Sequence, residues 1–205
     1  MNKPDGVAPT HRRHRAPLSS AERVAVALAL VAVIVFGSYG FAHQAPSTIG
    51  YLFSIVALGA VLAIVRREPL PGWLALSLAA LAAGHLAGGL VTVGDDVLYN
   101  AHPPLRAFQY DHVFHATASG IAAIVLWTFL SKELASVPGA IAVSALGGLG
   151  VGAINELIEF LATLAHHGQH VGGYRNTGWD LLSNTVGATT ASVLLAVAAK
   201  RRGRP

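Results

Sequence analysis

The stretch from Val24 to Ala42, VAVALALVAVIVFGSYGFA, runs the length of a membrane span without one charged side chain. A helix needs roughly 20 apolar residues to cross the hydrocarbon of a bilayer. Five further blocks of comparable length follow, so the segments 24–42, 48–65, 73–93, 112–130, 139–165 and 179–199 are read as spans. Lipid offers no partner to an open backbone N–H or C=O, so spans of this kind are helical. The connections carry helix breakers: HQAPS, RREPLPG, DDVLYNAHPPLR, SKELASVP and HHGQHVGGYRNTG. The predicted fold is an all-α, polytopic membrane bundle of six transmembrane helices. Charged residues make up 12% of the chain, about half of what a soluble domain carries, which agrees.

Twelve of the 14 Lys and Arg residues fall on one side of this arrangement, leaving only Arg106 and Arg175 on the other. The positive-inside rule then predicts both termini in the cytoplasm of a cell-membrane protein. Residues 1–20 are expected to form a disordered basic tail and 201–205 a second one. Between them, 21–200 form the transmembrane domain, with a polar core over 85–190. The first apolar block is long and lacks a small-x-small cleavage site, so it reads as an uncleaved span. The basic residues flank spans and set topology, which excludes nucleic acid as the partner and leaves the lipid bilayer. Cysteine is absent, which excludes disulfides, thiolate zinc sites, iron–sulfur clusters and thiol nucleophiles.

The functional signal lies in the ionisable residues inside the later spans. His85 belongs to the third, Asp111, His112 and His115 open the fourth, Glu156 and Glu159 lie late in the fifth, and Asp180 and Asn184 open the sixth. At 1.5 Å per residue, His85 lies about 18 Å into its span, and Glu156 and Glu159 about 26 and 30 Å. The rest lie within two turns of the opposite entry, so the topology gathers all of them in the outer half of the membrane. Asp111 and His115 share a helical face at i, i+4, as do Asn155 and Glu159, and Asp180 and Asn184. His112 points about 100° away from Asp111, towards a neighbouring helix or the headgroups. A charge at the bilayer centre costs at least about 2.5 kcal/mol, so several together must face one another or a polar cavity. Gly84-HLA-Gly88 and Gly148-LGV-Gly152 are small-xxx-small faces of the kind that brings helices close.

The ordered pattern Asp111-x-x-x-His115, Glu156-x-x-Glu159, Arg175, then Asp180-x-x-x-Asn184-x-x-Gly187 resembles the VanZ-like and YjdF-like groups of small bacterial membrane proteins. The likeness covers roughly residues 110–190. His112 takes the position of the pattern's basic residue, and Glu159 stands where VanZ-like members often have Gln. The resemblance implies a cell-envelope location and a polar site, and specifies no reaction.

Two functions suit these residues. In one, Asp111, His115, Glu156, Glu159 and Asp180 form a general acid–base site that binds or processes a lipid-linked or headgroup ligand. His85, His112, Arg175 and Asn184 line it, with Arg175 holding a phosphate or carboxylate. In the other, His115, Glu159 and Asp180 hold a divalent metal such as zinc, in a binding protein or a metal-dependent hydrolase. His166, His167 and His170 form a second, loop-borne histidine group, and Asp95 and Asp96 are read as solvated. Arg106 and the His102–Pro104 segment are read as a rigid entrance to the fourth span. An interhelical hydrogen-bond network without ligand is the alternative to both. Transport ranks below them, because the inner halves of the spans offer no matching polar path.

Overall fold

The computed structural model describes residues 16–101, 109–165 and 173–202. Six helices account for most of them: α1 (Ser20–Ala42), α2 (Thr48–Val65), α3 (Gly72–Leu90), α4 (Tyr110–Leu130), α5 (Val137–Ala165) and α6 (Gly173–Arg201). All six are long and apolar enough to cross a membrane, as the apolar blocks predict. Four helix starts move outward by two residues or more from their predicted places: α1 begins at Ser20, α4 at Tyr110, α5 at Val137 and α6 at Gly173. Arg175 and Asn176 are therefore helical rather than part of the preceding loop. Residues 1–15, 102–108, 166–172 and 203–205 lie outside the described set. With them go most of the basic tails, His102–Pro104, Arg106 and the His166, His167 and His170 group.

The helices alternate in direction. Helix α4 pairs in parallel with α6, Gly120 meeting Gly187 and Asp111 meeting Asn176, and α5 runs antiparallel to both. Helices α1 and α3 form a second parallel pair, with α2 lying lightly against them and α3 joining the two groups through α4. One end of the bundle carries Arg23, Arg66, Arg67, Lys132 and Lys200–Arg202. The other carries the starts of α2, α4 and α6, and we call it the site end.

The interior is built from small residues, as bundles in lipid are, where van der Waals packing replaces hydrophobic collapse. Ala25, Ala75 and Ala79 pack with Leu70, Leu74 and Val125 in one cluster, and Ala32 with Leu86 and Leu90 in another. The large side chains face outward instead: Phe53, Ile34 and Leu146 are 71%, 66% and 68% exposed. That inversion is the signature of a surface meant for lipid.

The third connection does more than join spans. Thr92–Val93 pairs antiparallel with Asp96–Val97 across a turn at Gly94, whose φ of +65° suits glycine. Asp96 Oδ1 accepts from Val97 N–H at 2.8 Å and from Asn100 Nδ2 at 2.9 Å, so this aspartate shapes the turn while Asp95 is exposed. A 3-10 turn over Leu98–Asn100 then places Tyr99 on the face of Gly88.

At the basic end, Arg66 is more than a topogenic charge. Its Nε and Nη2 donate to Glu22 Oε1 and Oε2 at 2.5 and 2.9 Å, and its Nη1 and Nη2 reach the carbonyls of Ala16 and Pro17. Glu22 also accepts from the Ser19 and Leu70 amides, and its own N–H donates to Ser19 Oγ, a reciprocal cap that starts α1. Glu22 and Arg66 are 4% and 9% exposed. Removing one member of such a buried pair strands the other's charge, at a cost of about 3 kcal/mol or more. Glu22→Gln and Arg66→Met should each lower the thermal midpoint of detergent-purified protein clearly, and the double variant less than their sum. Strictly additive losses would show that the pair is uncoupled.

Candidate functional site

Helices α4, α5 and α6 meet at the site end over polar side chains. Two close approaches set their spacing. A Cβ on Gly187 of α6 would overlap the Ala116 carbonyl of α4, and one on Gly152 of α5 would overlap the Asn184 carboxamide. Only glycine lets these backbones come so near. Asp111, His115, Glu156, Asp180 and Asn184 are consequently buried, at 8%, 5%, 7%, 0% and 1% exposure, and Glu159 is half-buried.

His115 stands at the centre. Its Nε2 lies 3.3 Å from Asp111 Oδ1 and its Nδ1 lies 3.4 Å from Glu156 Oε1. His112 Nδ1 accepts the Gln109 N–H at 3.2 Å, which leaves Nε2–H facing Asp180 Oδ1 at 3.9 Å. Of the two directions open to His112, a neighbouring helix or the headgroups, its ring takes the first, and that helix is α6. Asn176 Nδ2 donates to Asp180 Oδ2 at 2.6 Å and reaches Asp111 Oδ2 at 3.5 Å. Asn155 Nδ2 donates to Glu159 Oε1 at 2.7 Å, and Ser119 Oγ donates to Asn184 Oδ1 at 2.5 Å.

Donors and acceptors do not match in the cluster. Four carboxylates offer two oxygens each, yet among the described residues they form ion pairs only with His112 and His115. Glu156 Oε1, Asp180 Oδ1 and the donor Asn184 Nδ2 are buried without a hydrogen-bond partner among those residues. Donor atoms of Asp111, His115 and Asp180 lie within 4.8 Å of one another, and so do those of His115, Glu156 and Glu159. The predicted metal set of His115, Glu159 and Asp180 is thus divided: the imidazole belongs to both groups, Asp180 to one and Glu159 to the other.

Two predicted site residues stand apart. Arg175 is exposed on the first turn of α6. His85 belongs to an adjacent aromatic group, edge-on to Tyr51 and stacked on Phe114 at centroid distances of 4.9 and 5.7 Å. Its Nδ1 lies 2.6 Å from Tyr99 Oη and its Nε2 lies 3.0 Å from Ser54 Oγ. Loss of hydration raises the Tyr99 phenol well above its ordinary pKa, so Tyr99 donates to Nδ1. Nε2–H then donates to Ser54, whose hydroxyl donates to the Tyr51 carbonyl. That chain is fully satisfied and assigns one tautomer to a neutral His85.

Sequence reading missed Tyr51, Ser54, Tyr99, Ser119 and Asn176. The first four are uncharged and vanish in a hydropathy profile. Asn176 carried a usable signal, the same i, i+4 spacing to Asp180 that Asn155 has to Glu159.

These features define the class: a six-helix integral membrane protein with a buried histidine–carboxylate cluster at one end of its bundle. The chain belongs to the family described as predicted membrane protein (DUF2238), whose model matches residues 22–201 and so takes in nearly all of the six helices. No curated protein and no solved structure matches it.

The close contact of α4 with α6 makes the cluster dependent on Gly187. Gly187→Ala should lower the thermal midpoint by the equivalent of about 1–3 kcal/mol, the usual cost of overpacking. Gly150→Ala, with open space around its Cβ position, should be neutral or slightly stabilising. Equal midpoints for the two variants would contradict the close packing described.

Proposed function

We propose that this chain is a cell-envelope membrane protein, both termini cytoplasmic, whose cluster binds a divalent metal of the zinc class in the outer half of the bilayer. There the bound ion serves the recognition or hydrolysis of an anionic, lipid-linked or headgroup ligand. The observation that carries the reading is charge. Four acidic side chains surround His115 with no Lys or Arg among their ion pairs within the described residues, and a buried carboxylate needs a counter-charge, a proton or a metal. Imidazole and carboxylate are the donors that zinc and its neighbours favour.

A bound ion would supply Lewis acidity and a water ionising near pH 7. The chain's own residues contribute the rest. Asn176 and Asn155 orient Asp180 and Glu159 through single hydrogen bonds, as outer partners of metal ligands do. Glu159, more accessible than the others, is suited to exchanging a proton with a ligand. The exposed Arg175 at the same end supports an anionic partner. The ordered motif resembling VanZ-like and YjdF-like proteins supports the envelope setting, and the gathering of Lys and Arg at the opposite end supports the orientation.

Elemental analysis of purified protein, stripped with chelator and reloaded with zinc or cobalt, tests the metal reading. At least one tightly held ion per chain is expected, lost in His115→Ala that still elutes as a single species. Metal-free wild type after loading would overturn it. Orientation is tested separately, because the chain has no cysteine. Asp95→Cys should react with an impermeant maleimide in intact cells and Ala135→Cys only after permeabilisation; the reverse pattern would invert the topology.

A further inference from the structure

We infer that the cluster is a two-metal site, with His115 bridging the ions through its two ring nitrogens. The inference rests on the metal reading above and deepens it. The donors fall into two matched halves. Asp111 lies against Nε2 and groups with Asp180, and Glu156 lies against Nδ1 and groups with Glu159. Each half therefore offers two carboxylates and one imidazole nitrogen, the three protein ligands of a tetrahedral site that keeps its fourth position open.

Distances agree with this assignment. Metal–ligand bonds of about 2.0–2.1 Å at tetrahedral angles set neighbouring ligand atoms roughly 3.3–3.4 Å apart. The imidazole–carboxylate separations are 3.3 and 3.4 Å, long for a charge-assisted hydrogen bond and right for the edge of a coordination tetrahedron. Each half also contains one buried carboxylate oxygen without a hydrogen-bond partner among the described residues: in one Asp180 Oδ1, which has His112 Nε2 no nearer than 3.9 Å, and in the other Glu156 Oε1. Their side chains are 0% and 6% exposed. Each half has its own asparagine, four residues before the carboxylate it orients: Asn176 for Asp180 and Asn155 for Glu159.

Charge follows the same division. Two carboxylates would neutralise one divalent ion in each half. A bridging ring would be imidazolate, its remaining N–H proton lost to solvent. That would leave the doubly loaded cluster with one net negative charge, to be balanced at an open position or by the proton of a bound water. The ions then sit on opposite nitrogens of one ring, roughly 6 Å apart by the same bond lengths.

The test titrates chelator-stripped, full-length protein in nanodiscs with Co²⁺ and with Cu²⁺, reading stoichiometry by elemental analysis and coupling by electron paramagnetic resonance. Two ions per chain are expected, with the Cu²⁺ signal diminished by exchange through the bridge. Asp180→Asn and Glu159→Gln should each keep one ion and recover an uncoupled signal. If the fully buried Asp180 variant does not fold, Asp111→Asn removes a ligand from the same half. One ion in wild type, abolished equally by a variant of either half, would overturn the two-metal inference and leave the metal reading intact. Two uncoupled ions that both survive His115→Ala would overturn the bridge. No ion at all would overturn both.

Discussion

Four carboxylates stand around one imidazole, in a bundle whose other interior residues are mostly alanine, glycine and leucine. Everything else in α4, α5 and α6 answers to that constraint. In a low-dielectric interior like charges cannot sit together unless protons or cations balance them. The helices must therefore approach closely enough for a single group to be shared, which is why glycine lies at Gly187 and Gly152 and why the asparagines reach across a turn. The cluster is costly when empty of counter-charge.

The comparison with the other buried polar groups sharpens this point. Glu22 and Arg66 form a closed set, each carboxylate oxygen accepting two hydrogen bonds and every guanidinium nitrogen donating. His85 is equally complete between Tyr99 and Ser54. Both are what helix-locking networks look like when structure is their purpose. The His115 cluster, on the same architecture, leaves buried polar atoms over among the described residues: Glu156 Oε1, Asp180 Oδ1 and Asn184 Nδ2. The closed sets are finished by an arginine with backbone amides in one case and by hydroxyls in the other.

Most of the fold is readable from the chain because span length and hydropathy are properties of contiguous residues. The convergence of Asp111, His115, Glu156, Glu159 and Asp180 is readable for a related reason: depth in a membrane follows from residue count and direction. What escapes is lateral detail. The sequence places Glu159 and Asp180 at the same level but cannot say on which side of the His115 ring each falls. GYRNTG reads as loop from its glycines and asparagine, so the helical turn that carries Asn176 is lost. Arg66 reads as a flanking charge, although Ser19-x-x-Glu22 already carries the pattern of a capping box. Arg175, grouped with the site by its position in a motif, is exposed on the first turn of α6, a detail its sequence position does not convey.

The buried ionisable groups of α4, α5 and α6 are gathered at one end of the bundle, and this bears on the kind of function the fold can support. Between the site and the basic end, the interior is Leu74, Ala75, Ala79, Ala123, Val125, Ala188 and Ala191. The hydroxyls in that region are committed to their own helices: Thr128 to the Ile124 carbonyl, Ser144 to Ala140 and Ser192 to Ala188. None is left to solvate an ion passing between helices. Beyond them, the Glu22–Arg66 pair ties the starts of α1 and α3 to the end of α2. Among the described residues this stretch of interior offers no run of polar groups matching the cluster, which suits binding or chemistry at one end of the bundle better than translocation through it.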